Sequence, residues 1–366
     1  MTFDFRLSTL KRIDLYIIKK FLGTFFLSIV LILSIAVVFD LTEKLDDFYE
    51  NQVPVHEIVF DYYLNFIPYY LDMFSQLFIF ISVIFFTSKL AGNSEVIAIL
   101  AAGVSYERFL RPYLITATFL FVFSFGLGGW VIPQSSKKML AFTDKYIEKF
   151  TRESARNVQM VVGEGAVLYI ESFQLRTQIG YRASLEHFEG KSLTQRITAD
   201  RIKYLEEYKW RLENYVDRRF DGMHETLVQG SSLDTIIPIQ PEELFITAEQ
   251  AQQMNNSELY QYIQKQRERG AGNVKAFETE WYTRFAGPLG AFIMTLLGVT
   301  LSSKKVRGGM GKNLGIGVTL TALYILFSTV STTFSVTGVM SPFMSVWLPN
   351  IVFAVIAFVL YLRVRR

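Results

Sequence analysis

The stretch FLGTFFLSIVLILSIAVVF, residues 21–39, carries no charged side chain. A helix of about 20 such residues crosses a hydrocarbon core about 30 Å thick. Arg6, Lys11, Arg12, Lys19 and Lys20 precede the run; Asp40, Glu43, Asp46, Asp47 and Glu50 follow it, offset by Lys44. Basic residues mark the cytoplasmic side of a span, so this asymmetry places the N-terminus in the cytoplasm. The run is longer than a signal-peptide core, and no small-residue cleavage site follows it. It is therefore expected to be a retained span.

The same reading extends outward. A second span is expected within about 67–88, on a longer helix starting near Val55, with Pro68 as a kink and Lys89 at its cytoplasmic end. A third is expected over 112–132, with Arg108 and Arg111 at its start, Gly126, Gly128 and Gly129 allowing bending or close approach, and Pro133 ending it. Spans four to six are expected near 285–301, 314–336 and 343–362. Lys304, Lys305, Arg307 and Lys312 fill the loop after the fourth, an uncharged turn from Gly338 to Ser341 follows the fifth, and Arg363, Arg365 and Arg366 follow the sixth. Short basic loops on one side and acidic or neutral turns on the other give a multi-pass membrane topology with both termini cytoplasmic.

Between the third and fourth spans, residues 134–272 change character. Val158, Met160 and Val162 alternate with polar neighbours, as do Val167 and Tyr169. Strand patterns cover 180–188, 195–206 and 209–220, the last closing on Asp221-Gly222. Period-two patterning with Gly punctuation predicts an antiparallel β-domain, a sandwich or jelly roll, outside the cytoplasm. A helix is expected over 247–269 with Ser257 as its cap. The expected fold is thus a six-helix membrane protein, residues 1–133 and 273–366, with an inserted periplasmic jelly-roll-like domain over 134–272.

Composition narrows the chemistry. Hydrophobic residues make up 51% of the 366, mean hydropathy is +0.26 and the net charge is +3, with the basic residues spread over span ends; nothing points to nucleic acid. There is no cysteine, so thiol catalysis, disulfides and Cys-bound metal are excluded. His56, His187 and His224 show no ligand spacing, and no catalytic constellation stands out. No metal or cofactor is expected on this chain. The spans read as nearly free of ionisable groups, which disfavours an ion-coupled carrier.

The loop containing Gly311-Lys312 superficially matches a phosphate loop. Val306 and Asn313 stand where that motif needs Gly and Ser or Thr, so the chain is expected to hydrolyse no ATP itself. More informative is Asn93-Ser-Glu-Val-Ile-Ala-Ile-Leu-Ala-Ala-Gly103, between two spans on the cytoplasmic side. Ser94 is expected to cap a short helix, Glu95 suits its first turn, Val96, Ile97, Ile99 and Leu100 form an apolar face, and Gly103 ends it. A helix lying on lipid normally carries Lys or Arg, whereas this one carries only Glu95, which favours docking a cytoplasmic partner. Lys44, Asp40 and Glu43 read as span-end charges or as a lipid head-group contact. Arg284 reads as a snorkelling or capping residue.

In this order, three spans, a β-domain and three spans, the chain resembles the LptF/LptG family of permeases. Leu15-Tyr-Ile-Ile-Lys-Lys-Phe21 resembles that family's start of the first helix, and residues 93–105 its coupling helix. Ile197-Thr-Ala-Asp-Arg-Ile-Lys-Tyr204 with Trp210-Arg-Leu-Glu-Asn-Tyr-Val-Asp-Arg-Arg-Phe-Asp-Gly222 resembles its β-domain core. Gly287-Pro-Leu, Leu296-Leu-Gly-Val299 and Trp347-Leu-Pro-Asn350 also fit.

The resemblance implies the permease subunit of an ABC transporter that extracts lipopolysaccharide from the inner membrane and passes it to a periplasmic bridge of LptC/LptA type. The implied partners are a cytoplasmic ABC ATPase dimer, through which ATP acts, and a second LptF/LptG-type permease. It implies ATPase coupling through Ser94, Glu95, Ile97, Leu100 and Gly103, with Glu95 as the acidic contact. It also implies lateral gates at the first and fifth spans. That assignment puts the stripes Ile29, Leu33, Ala36 and Leu326, Phe327, Val330 on the lipid path, although such stripes more often face lipid or another helix. Lys44 would then sit at head-group level, where a cation near an anionic surface gains about 1 kcal/mol. Family members often carry His and basic residues ahead of the fourth span; here Trp281-Tyr-Thr precede Arg284. The competing reading is a membrane-anchored periplasmic scaffold for envelope assembly, without transport and without an ATPase. Permeases for lipoprotein release or macrolide efflux place their large domain after the first span, which this topology contradicts.

Overall fold

A computed structural model describes residues 11–147, 154–163, 165–190, 192–222, 224–241, 244, 248–268, 274–304, 309–336 and 339–365. Among the described residues, six helices are long and apolar enough to cross a membrane. They are α1 (Arg12–Glu50), α2 (Val55–Gly92), α4 (Tyr106–Tyr146), α6 (Val274–Ser302), α7 (Gly309–Val336) and α8 (Pro342–Arg365). A short α3 (Glu95–Ala101) joins α2 to α4, and α5 (Asn256–Glu268) precedes α6. The chain divides into two compact units, residues 1–49, 54–139 and 278–366, and residues 50–53 and 140–277.

In the helical unit α2 and α6 are central, with 56% and 67% of their apolar windows buried, against 22% for both α1 and α7. A small residue lets α2 and α6 approach: Gly298 of α6 lies against Val83 of α2. Hydroxyl and amide groups tie the helices together. Tyr113 Oη and Thr87 Oγ1 lie 3.0 Å apart, Tyr324 Oη donates to Asn350 Oδ1 at 2.8 Å, and Asn313 Nδ2 donates to Ser88 Oγ at 3.2 Å. α1 docks differently. Ile17, Phe21, Phe25, Ile29 and Leu33, four apart, form its buried stripe, with Phe21 against Phe86 and Tyr113.

Two of the prolines inside long helices lie beside π-helical stretches. α2 runs through Pro68, after a π-helical stretch at Ile58–Tyr63 where Asn65 Nδ2 donates to the carbonyls of Phe60 and Asp61. Pro133 does not end the third span as expected. A π-helical stretch at Leu127–Val131, spanning Gly128 and Gly129, precedes it, and the helix continues to Tyr146. The wider turn relieves the clash a proline ring makes with the carbonyl four residues back.

The second unit holds the expected antiparallel β-domain: β1 (Ser154–Gly163), β2 (Ala166–Gln174), β3 (Ile179–Glu189), β4 (Ser192–Glu206), β5 (Lys209–Asp221) and β6 (His224–Ile236). They form one sheet in sequential order. Its connectivity is therefore a meander, and a Greek-key crossover is not among the described residues. The core gathers Leu168, Ile170, Phe173, Ile202, Trp210 and Leu212 with Ile237, Ile239 and Leu244 after β6. The Trp210 indole donates to the Ile239 carbonyl at 3.2 Å, which folds that segment back onto the sheet. On the exposed face the Arg211 fork grips Asp234 at 2.7 and 2.9 Å and holds that carboxyl below its ordinary range.

One row crosses the whole sheet. The pairings on either side bracket Asn157, Glu171, Arg182, Asp200, Asn214 and Ser231, one from each strand. At this row the alternation of buried and exposed positions shifts by one. Gly180 is buried, Tyr181 and Arg182 are exposed, and Ala183 is buried; Ala199, Asp200, Arg201 and Ile202 repeat the pattern. Asn157, Arg182 and Asn214, on alternate strands, have φ of +51°. A left-handed residue within a strand reverses which face its neighbours present, so the sheet creases along this row and both halves bury their apolar side in one core.

The expected cap of α5 is also shifted. Asn255, not Ser257, caps the helix: Glu258 N donates to Asn255 Oδ1 and Asn255 N to Glu258 Oε2, both at 2.9 Å. This is a reciprocal capping box with the carboxylate three residues on.

Candidate functional site

α2 ends at Gly92, and Asn93-Ser94 turn the chain into α3. Ser94 occupies the capping position, but its backbone is left-handed, φ +64°, and its hydroxyl makes no cap bond. A capping hydroxyl needs extended backbone to reach the free N–H groups, so the expected serine cap is not formed. Asn93 Nδ2 instead holds Glu95 Oε1 at 3.1 Å. The apolar face divides. Val96 is buried in the helical core and Ile99 packs against it, while Ile97 and Leu100 are exposed, Ile97 by 54%. Gly103 ends the helix at φ +83°, the left-handed turn that glycine tolerates best. The short helix thus anchors through one side and offers Ile97 and Leu100 on another, beside a half-buried Glu95.

The stripe residues of the first and fifth spans separate. Ile29 and Leu33 are buried in this chain's own helical core and Phe327 packs against it; Ala36 is half-buried, while Leu326 and Val330 are exposed. The outward face of α1 is carried instead by Leu27, Val30, Leu31 and Val38. Lys44 is engaged within the chain. Its ammonium lies 2.6 Å from Asp40 Oδ1 and donates to Tyr62 Oη, which in turn donates to Asp40 at 3.2 Å.

Three ionisable groupings escape the sequence pattern. Asp72, within α2, accepts from the Ser124 hydroxyl of α4. Arg284 does not snorkel: its side chain is 4% exposed and pairs with Glu280 at 3.1 Å. The spans therefore hold more charge than their composition suggests. Asp14, near the start of α1, takes a two-pronged grip from Arg108 at 2.7 and 2.6 Å. The signal for it was present, as Asp14 is the one acid among Lys11, Arg12, Lys19 and Lys20.

In the β-domain, Val162, Leu185, Ile197, Val228 and Leu233 line a groove of about 580 Å³, with His187, Gln195, Asp217 and Arg219 among its polar lining residues. Gln195 Nε2 donates to Asp217 Oδ1 at 2.8 Å and Arg219 Nε to Oδ2 at 3.1 Å. Among the described residues no group of three His, Asp or Glu could hold a metal ion.

A family model described as the lipopolysaccharide export system permease LptF/LptG matches residues 15–363, nearly the whole chain. The chain belongs to the LptF/LptG family. It is a multi-pass membrane protein of a transporter permease family and not of an enzyme family. No curated relative matches the chain. The LptF/LptG match spans both the helical unit and the inserted β-domain, so α3 and the β-domain groove lie within one family architecture.

Proposed function

We propose that this chain is one of two permease subunits of an inner-membrane ABC transporter that lifts lipopolysaccharide from the membrane towards a periplasmic bridge. A separate cytoplasmic ATPase dimer supplies the energy. The observation that carries the reading is α3, a short helix that exposes Ile97 and Leu100 beside Glu95 while Val96 roots it in the helical core. An exposed apolar pair with one adjacent carboxylate suits a basic-rimmed apolar cleft on a partner protein better than an anionic lipid surface.

The weakly buried helices α1 and α7 are the gate elements of this reading. Their outward residues, Leu27, Val30 and Leu31 on one and Leu326 and Val330 on the other, meet the second permease or the lipid. The stripe Ile29 and Leu33 holds α1 to its own bundle and sets the helix phase. The β-domain groove, with Val162, Leu185, Ile197, Val228 and Leu233 on its wall beside polar residues, then shields acyl chains from water after they leave the membrane.

The test is the full complex in lipid vesicles loaded with lipopolysaccharide. ATP-dependent release is expected for the wild-type chain, and Glu95→Ala is expected to keep membrane insertion while losing ATPase association or stimulated hydrolysis. Normal coupling in that variant would remove Glu95 from the mechanism, and a purified chain that binds no ATPase would favour the scaffold reading.

A further inference from the structure

α1 meets the rest of the helical unit through an apolar stripe, Ile17 to Leu33. Apolar contacts between membrane helices are weakly directional, because lipid tails compete for the same surface. At one end of α1 a different kind of contact is made. Arg108 Nη1 donates to Asp14 Oδ1 at 2.7 Å and Nη2 to Oδ2 at 2.6 Å, a bidentate fork that fixes both distance and orientation. The Asp14 side chain is 5% exposed.

Both partners are held rigidly on their own helices. Asp14 Oδ2 also accepts from the Lys11 backbone at 2.9 Å, which locks the carboxylate to the first turn of α1. Arg108 lies in the first turn of α4, where its N–H donates to Ser105 Oγ at 3.2 Å. Only Val104 separates Ser105 from Gly103, the residue that ends α3. The turn after the docking helix therefore reaches α1 directly. It reaches other elements as well: Tyr106 Oη lies 3.4 Å from Ser303 Oγ beyond α6, and Tyr361 of α8 donates to Glu107 at 3.4 Å. Those contacts are long and neutral or singly charged, whereas the one to α1 is short, ionic and two-pronged.

We propose that Asp14 and Arg108 form a strut that carries movement of the docking helix α3 to the gate helix α1. The proposal rests on the reading of α3 as the ATPase contact and of α1 as a gate. Without the strut, a displacement of α3 would be lost as slip along the apolar stripe. Both are positioning residues, since neither touches lipid or nucleotide in this scheme.

The test uses the assembled complex of both permeases and the ATPase, in vesicles containing lipopolysaccharide. Asp14→Asn keeps the side-chain size, Arg108→Gln shortens the side chain and removes its charge, and both leave the capping contacts of the two helices in place. The quantity read is lipopolysaccharide released per ATP hydrolysed. Each variant is expected to keep ATPase association and unstimulated hydrolysis while release per ATP falls about tenfold. Arg108→Lys, which keeps the charge, is expected to recover part of the loss, and the double variant Asp14→Asn with Arg108→Gln to be no worse than either single. Unchanged release per ATP would overturn the strut, and so would a loss explained wholly by poorer assembly. If the wild-type chain itself binds no ATPase, the docking reading fails, and that failure is seen before any variant is made.

Discussion

Gly298 of α6 faces Val83 of α2 so closely that a Cβ added to the glycine would lie 2.8 Å from Val83 Cγ1 and 3.0 Å from its Cβ. Val83 cannot rotate its own Cβ away, so the helices must part. Gly298→Val is expected to destabilise the helical unit by about 1–3 kcal/mol, as overpacking does. Val83→Ala made together with Gly298→Ala removes the Cγ1 contact but keeps the Cβ, and is expected to recover part of the loss that Gly298→Ala causes alone. Thermal aggregation of the detergent-solubilised chain measures both.

Trp210 is fully buried between Phe173 and Tyr204, with ring centroids 5.8 and 5.1 Å away. Trp210→Ala removes that packing and the bond to the Ile239 carbonyl. A loss of about 3–5 kcal/mol is expected, enough to unfold a marginal domain. Limited proteolysis within 154–239 should become rapid, while the transmembrane fragments stay protected. Unchanged resistance would show that the segment after β6 does not depend on this anchor.

The crease in the sheet makes a third expectation. Asn214 holds φ +51° within a strand, a backbone that costs a β-branched residue about 1–2 kcal/mol and glycine almost nothing. Asn214→Val is expected to destabilise the β-domain and Asn214→Gly to be neutral or mildly stabilising. The same order is expected at Arg182 on β3. Hydrogen exchange of β4 and β5 amides reads the difference, and equal protection in the Val and Gly variants would argue against a strained crease.

These particulars mark what the sequence could and could not carry. Spans were legible as unbroken apolar runs and strands as period-two alternation. The phase of α1 was not, because its span is apolar on every side and long-range contacts choose the face, among them those of Phe21 with Phe86 and Tyr113 and of Asp14 with Arg108. The crease hides for a similar reason: Tyr181-Arg182 and Asp200-Arg201 read as two outward positions in succession, which breaks a period-two pattern instead of announcing a bend. Ser94 and Ser257 looked like caps by residue type, but backbone conformation at one and the nearer Asn255 at the other decided the outcome. Arg284 and Glu280 are four apart, a spacing that also suits a solvated helix face, yet the Arg284 side chain is only 4% exposed.

A fourth expectation concerns Lys44. With its ammonium held by Asp40 and Tyr62, it is less available to a lipid phosphate than a free span-end lysine. Tyr62→Phe loosens that hold and is expected to raise amine-directed crosslinking of the Lys44 side chain itself to lipopolysaccharide, whereas Asp40→Asn should raise it further. Crosslinking that is the same in all three chains would show that the pairing has no bearing on lipid contact.

The central claim is that α3 docks a cytoplasmic ATPase through its exposed face, and one measurement meets it directly. A photo-crosslinking residue is placed at Ile97, which is 54% exposed, and at Val96, which is buried, and both strains are irradiated in cells. The expected result is a covalent adduct with an ATP-binding subunit from Ile97 and none from Val96. An Ile97 probe that captures only membrane lipid would contradict the claim and make α3 an interfacial helix.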